Sequence, residues 1–170
     1  MMKQLTFKAL AILFVAFTML ASSCSKDDDN NNNNGGDNPS DNKITENIMM
    51  NTTWETGKVY ILGGRITVVA GVTLTIQPGV VIKGEAGTGA NSTALIVARG
   101  AKIMAEGSET QPIIFTSVAD EIMPGQVASP NLDPDLNGLW GGLIVLGYAP
   151  ISADAVPSQI EGIPPSDQNG

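Results

Sequence analysis

Few side chains in this sequence could do chemistry. Histidine is absent from all 170 residues, and Cys24 is the only cysteine. Ser-His-Asp and Cys-His catalysis, Cys/His zinc sites and intramolecular disulfides are therefore excluded. Carboxylates and two arginines remain. Glu85 and Glu106 each follow an apolar burst and precede Gly-rich sequence. If the interval between them were one repeat of a stacked structure, the two would lie on adjacent rungs. Carboxylates that close could share a proton, hold a cation or flank a glycosidic bond. As solvated turn residues they would do none of this, and their Gly-rich surroundings favour that reading.

Asp133-Pro-Asp135-Leu-Asn137-Gly138 sets oxygen ligands at alternate positions with Gly sixth, as the first half of a calcium loop does. Position twelve, where such a loop carries a bidentate Glu, is Ile144, and Pro134 stiffens the second position. Asn131 would add one more oxygen. The expectation is a polar insertion loop without a metal. Gly84-Glu-Ala-Gly-Thr-Gly89 lacks the Lys and the helix of a phosphate loop and reads as a turn. Trp140, before Gly141-Gly142, and Trp54 could stack on sugar rings, with Trp54 expected instead to pack over the first repeat. Asn51-Thr-Thr53 and Asn91-Ser-Thr93 match a glycosylation sequon. No catalytic, cofactor-binding or metal residue is assigned on these patterns.

The elements that must position these groups are short. From Lys58 onward apolar residues alternate in brief bursts separated by Gly, with no helical period. Leu74-Thr-Ile76-Gln-Pro-Gly79-Val-Val-Ile82 aligns with Leu95-Ile-Val97-Ala-Arg-Gly100-Ala-Lys-Ile103 at an offset of 21, the same offset that relates Glu85 to Glu106. Leu143, Val145 and Ile151 follow at 48. The extra residues in that last interval are assigned to a strand, Ile113-Ile-Phe115-Thr, and a loop from Ser117 to Asn137. Ile66-Thr-Val68 stands eight residues before Leu74-Thr-Ile76. A unit this short cannot close a core alone, so the units must stack. The expected ladders are Leu74–Leu95–Leu143, Ile76–Val97–Val145 and Ile82–Ile103–Ile151, with rungs about 4.8 Å apart. Corner glycines would supply the positive φ of sharp turns. The predicted fold is an all-β parallel β-helix.

Upstream, Lys3 and Lys8 flank the start of a twelve-residue apolar run at 9–20. A bilayer core needs about 20 helical residues, so the run fits a secretory leader instead. Ala21-Ser22-Ser23-Cys24 resembles a bacterial lipobox, although Leu20 stands four residues before the cysteine rather than three. Residues 1–23 are thus expected to be a lipoprotein signal peptide, with diacylglycerol on Cys24 attaching the mature chain to a membrane. Residues 24–43, with five consecutive asparagines at 30–34, should form a disordered tether, and 44–170 the β-helix domain. From Cys24 onward seven basic residues stand against seventeen acidic ones. That balance argues against nucleic acid as a partner.

Ser25-Lys26-Asp27-Asp28-Asp29 resembles the acidic export signal of surface lipoproteins in Bacteroidota. Thr73-Leu-Thr-Ile-Gln-Pro-Gly-Val-Val-Ile-Lys-Gly84, Ala94-Leu-Ile-Val-Ala-Arg-Gly-Ala-Lys-Ile-Met-Ala-Glu-Gly107, Pro112-Ile-Ile-Phe-Thr-Ser117 and Leu139-Trp-Gly-Gly-Leu-Ile-Val-Leu-Gly-Tyr-Ala-Pro-Ile151 resemble, in order, elements that recur in those proteins. The resemblance covers residues 58–163. It implies a right-handed, pectate-lyase-like β-helix, lipid-anchored at the outer membrane and exposed at the cell surface. It carries no catalytic residues. Polysaccharide lyases of this shape use an Arg base beside acidic calcium ligands, which makes Arg65 and Arg99 formal candidates, although Arg99 precedes Gly100 and reads as a corner residue. Such proteins usually continue for further coils, so the chain is expected to be the N-terminal part of a longer β-helix. The expected role is structural or binding, toward glycans or surface proteins. The alternative is a lyase or glycoside hydrolase whose site lies in coils beyond this chain.

Overall fold

The structure, a computed structural model, describes residues 42–150 and residue 152. The leader, nearly all of the tether with Cys24, and Ile151 lie outside the described residues.

Ten short strands follow one another: β1 (Lys43–Ile44), β2 (Thr52–Trp54), β3 (Val59–Leu62), β4 (Arg65–Val68), β5 (Thr73–Ile76), β6 (Val81–Gly84), β7 (Ala94–Val97), β8 (Lys102–Ala105), β9 (Ile114–Ser117) and β10 (Leu143–Val145). Every strand pair is parallel. Sheet A has the order β1-β3-β6-β9, sheet B β4-β7-β10, and sheet C β2-β5-β8. Ile48 bridges Val68 in sheet B, so the first coil also touches all three faces. The chain visits A, B and C in rotation and climbs one strand per circuit. This is a right-handed parallel β-helix, as the sequence predicts.

Alternation within each strand decides which side chains fill the lumen. In β5, Thr73 and Thr75 point outward while Leu74 and Ile76 are buried. The inward columns run Trp54–Ile76 in sheet C, Tyr60–Ile82–Phe115 in sheet A, and Ile66–Leu95 with Val68–Val97 in sheet B. Leu62, Ile66, Leu74, Ile82 and Leu95 are completely buried. Each such side chain contributes about 1.5–3 kcal/mol over leaving it exposed. In the first coil the lumen is filled by Trp54, stacked on Tyr60 with ring centroids 4.8 Å apart. The Glu55 amide donates to the Tyr60 hydroxyl at 3.0 Å, which gives the phenol oxygen a partner.

Four of the corners from B to C and from C to A are built alike, while the last C-to-A corner, 106–113, is longer. Gly57, Gly71, Gly79 and Gly100 each stand third after a strand end with φ between +79° and +83°. Only glycine enters that region without strain. Corners of successive coils also bond to one another, as where the Gly71 amide donates to the Gly100 carbonyl at 3.0 Å.

That likeness corrects the expected register. Leu95–Leu143 and Val97–Val145 are true rungs. Leu74, however, pairs with Thr52 and Ile103, Ile76 with Trp54 and Ala105, and Ile82 with Tyr60 and Phe115. One circuit of sheet A runs from Val59 to Val81, a step one longer than the sequence offset. The offset of 21 instead aligns a C-to-A corner with the B-to-C corner two sides later, because both need a strand, three residues ending in Gly, and a strand.

The third corner, from A to B, behaves differently. It is Gly63-Gly64 in the second coil, residues 85–93 in the third and residues 118–142 in the fourth. The insertion expected from Ser117 to Asn137 is this last one, and it extends to residue 142.

Candidate binding edge

The A-to-B edge gathers most of the irregular chain and most of the polar network. The insertion at 118–142 folds back over the outer face of sheet A. That face is apolar: Val59 and Val81 are buried, with Ile61 and Ile114 beside them, and Ile122 of the insertion packs onto the cluster at 2 % exposure. Alternating strands usually present polar groups outward, so an apolar outer face requires a cover.

Asp120 fixes that cover. Its Oδ2 accepts the Thr116 hydroxyl at 2.8 Å, and its Oδ1 accepts the Ile122 amide at 2.9 Å and the Ser129 hydroxyl at 2.8 Å. Its carbonyl accepts Lys83 Nζ at 2.7 Å. Burial works to raise the Asp120 pKa, but the Ile122, Ser129 and Thr116 hydrogen bonds and the Lys83 charge together hold it below the usual carboxylate value. Burial of Lys83 lowers its own pKa, against the opposing pull of the Asp120 and Glu121 charges. Asn131 closes the loop: its Oδ1 accepts the Glu121 amide at 2.9 Å and its Nδ2 donates to the Ala119 carbonyl at 3.0 Å. Asn131 is thus occupied in bonding the loop to itself.

Trp140 anchors the far end of the insertion. Its indole lies on Gly84 so closely that a Cβ there would come 2.5 Å from Cε3. It is half-buried against the main core rather than displayed to solvent. The Gly141 amide donates to the Thr93 carbonyl at 2.6 Å and secures the return toward β10.

Glu85 begins the third-coil corner and meets Lys43 of the first coil, Nζ to Oε1 at 2.5 Å. The pair reaches across the second coil because Gly63 stands between them, and a Cβ there would crowd Lys43 Cε at 2.7 Å. Glu106 follows β8 on the C-to-A edge, where a cleft of about 360 Å³ is lined by Thr75, Ile76, Gln77, Pro78, Met104 and Glu106. Glu85 and Glu106 therefore sit on different edges, not on adjacent rungs, and the idea that they act together is overturned.

The arginines are separated as well. Arg65 opens β4 beside Ala94, the first residue of β7, whereas Arg99 lies in the corner past the other end of β7. Asp133 Oδ1 accepts the Asp135 amide at 3.0 Å and the Asp133 carbonyl accepts the Leu136 amide at 3.0 Å, an ordinary Asx turn on an exposed loop. Among the described residues no three His, Cys, Asp or Glu converge to hold a metal ion. Residues 85–88 are irregular and lead into a single 3-10 turn, Gly89–Asn91.

Two sets of residues escape sequence reading. Asn47 and Asn51 of the first coil accept the Thr67 and Thr73 amides of the second, each at 2.9 Å, and so stand in for missing strand partners at the corners. Lys83 and Asp120 form the buried polar contact beneath the insertion. No sequence signal marks Lys83, because a Lys at an outward strand position is ordinarily solvated.

A family model described as a pectate-lyase like beta helix domain matches residues 42–163. No curated protein and no solved structure matches the chain. Three parallel sheets visited in rotation, repeated glycine corners and a match across most of the sequence agree, and the chain belongs to the pectate-lyase-like β-helix domain family.

Proposed function

We propose that this chain is a surface lipoprotein of a Bacteroidota bacterium, anchored in the outer membrane by lipid on Cys24. Its β-helix acts in adhesion or binding, toward glycans or surface proteins, rather than in catalysis. The observation that carries the binding role is the growth of one edge, from Gly63-Gly64 to 85–93 to 118–142, while the other corners stay short or lengthen far less. In stacked-repeat proteins insertions collect on one face, often the binding face. The anchor rests on the apolar run, the small residues before Cys24 and the acidic residues after it.

The test uses the full chain expressed in a lipoprotein-processing bacterium fed radiolabelled palmitate. Label should enter the wild type and be lost in Cys24→Ala, and protease added to intact cells should remove the wild-type domain. Label retained by Cys24→Ala would refute the anchor. For the second half, the mature chain is applied to a glycan array and to the polymers it retains. New reducing ends or unsaturated products from any of them would overturn the non-catalytic reading.

A further inference from the structure

The insertion carries one peptide unit that its folding leaves open. Asn137 is exposed and precedes Gly138, whose φ is +72° and around which an added Cβ would meet nothing within 4 Å. The Asn137 amide reaches only the Asp135 carbonyl, from Nδ2 over 3.3 Å, beyond the usual range for a good hydrogen bond. Three of the other described asparagines are placed otherwise, and Asn42 and Asn91 precede Lys43 and Ser92 rather than glycine. Asn47 and Asn51 are held through Oδ1 and Asn131 at both ends of its amide. Asn137 is the single described asparagine followed by glycine.

We propose that Asn137–Gly138 is a self-modification site, deamidating spontaneously with water as co-reactant to give aspartate and isoaspartate at position 137. Gly138 N attacks Asn137 Cγ. An N–Cγ bond forms, the Cγ–Nδ2 bond breaks, and Nδ2 leaves as ammonia with the proton that Gly138 N gives up. The resulting succinimide holds both carbonyl carbons of residue 137 in one five-membered ring. Water then opens the ring. Addition at Cγ gives aspartate, and addition at the main-chain carbonyl carbon routes the chain through the side chain as isoaspartate. No oxidant or reductant is consumed. Glycine permits the attack because it brings no Cβ to crowd the nitrogen and lets the peptide unit rotate. Either product adds a negative charge beside Asp133 and Asp135. Isoaspartate also lengthens the main chain three residues before Trp140, whose indole must stay seated on Gly84.

The full chain is incubated in neutral buffer, native and in parallel unfolded in guanidinium, then cut with a protease that cleaves before aspartate. The peptide from Asp135 to Ala153 contains Asn137 as its sole asparagine. The expected result is the amide-to-acid mass shift in that peptide, accumulating in the native chain at a rate comparable with the unfolded one. Part of the product should resist cleavage at 137, as isoaspartate does. The shift should be lost in Asn137→Gln and slowed in Gly138→Ala. A native chain that stays unmodified while the unfolded chain converts would overturn the proposal, as would a shift that survives in Asn137→Gln.

Discussion

Replacing Gly84 with alanine probes the seat of the insertion directly. The new Cβ would stand 2.5 Å from Trp140 Cε3 and 2.7 Å from Cδ2. Carbon atoms pack best at about 3.5–4.0 Å, so the indole must retreat by roughly 1 Å or β6 must shift. Overpacking of this kind costs about 1–3 kcal/mol. Gly84 has an ordinary negative-φ backbone, and alanine restricts the unfolded chain, which returns roughly 0.4–1 kcal/mol. The net loss should be about 1–2 kcal/mol, a roughly 5- to 30-fold fall in the ratio of folded to unfolded chain. Denaturant unfolding of the full chain, followed by far-UV circular dichroism, reads the loss in every variant, with or without a tryptophan. The decisive measurement is the double mutant. Trp140→Ala should itself cost about 2–4 kcal/mol, and Gly84→Ala added to it should cost almost nothing more, because the clash has gone. A Gly84→Ala penalty that is unchanged in the Trp140→Ala background would refute the reasoning.

Asp120→Ala strands the Ile122 amide and two hydroxyls, and should cost about 1–3 kcal/mol, read as faster proteolysis within 118–142. The folded pKa of Asp120 lies below its ordinary value of 3.8, so its stabilisation is fully present above that value and drains away as pH falls through the lower folded one. Unfolding measured from neutral pH down to about pH 2 should therefore show less acid loss in Asp120→Asn than in wild type; equal slopes would remove Asp120 from the account. Asn47→Ala leaves the amide of Thr67, a residue only 2 % exposed, without its partner, and should cost about 1–3 kcal/mol. Asn51→Ala should cost less, because its bond to the Thr73 amide is exposed and water can replace it. The two are ranked by denaturant midpoint. Removing the half-exposed Lys43–Glu85 pair by Glu85→Gln should change stability by no more than about 1 kcal/mol, and high salt should erase the difference.

Strands and corners were legible because they are governed by local rules. Alternation in Leu74-Thr-Ile76 and glycine after Gln77-Pro78 carry the same meaning in any coil. The circuit length was not legible in the same way. A B-to-C corner and a C-to-A corner solve the same turn with the same spacing, two variable residues and then glycine, so the strongest internal match joined two sides of the prism, and the true circuit was masked by insertions. Glu85 and Glu106 inherited that error. Trp140 could stack on a sugar by type alone; its seat on Gly84 is a contact between distant parts of the chain that no local pattern announces. Asn47 and Asn51 were silent for a similar reason, since an asparagine that completes a neighbouring coil looks like any polar residue in a turn.

The unequal corners separate length from register. At the B-to-C and C-to-A corners, glycine geometry and bonds such as that from Gly71 to Gly100 tie each coil to the next, and the lengthened corner at 106–113 keeps such a tie, the Gly79 amide donating to the Gln111 carbonyl at 3.0 Å. At the A-to-B edge β7 and β10 stay aligned, Leu95 beside Leu143, although the whole of 118–142 intervenes between β9 and β10. The scaffold thus has a grafting port. Foreign loops joined between Ser117 and Leu143 or within 85–93 should be carried without disturbing the ladders, provided the outer face of sheet A keeps an apolar cover such as Ile122.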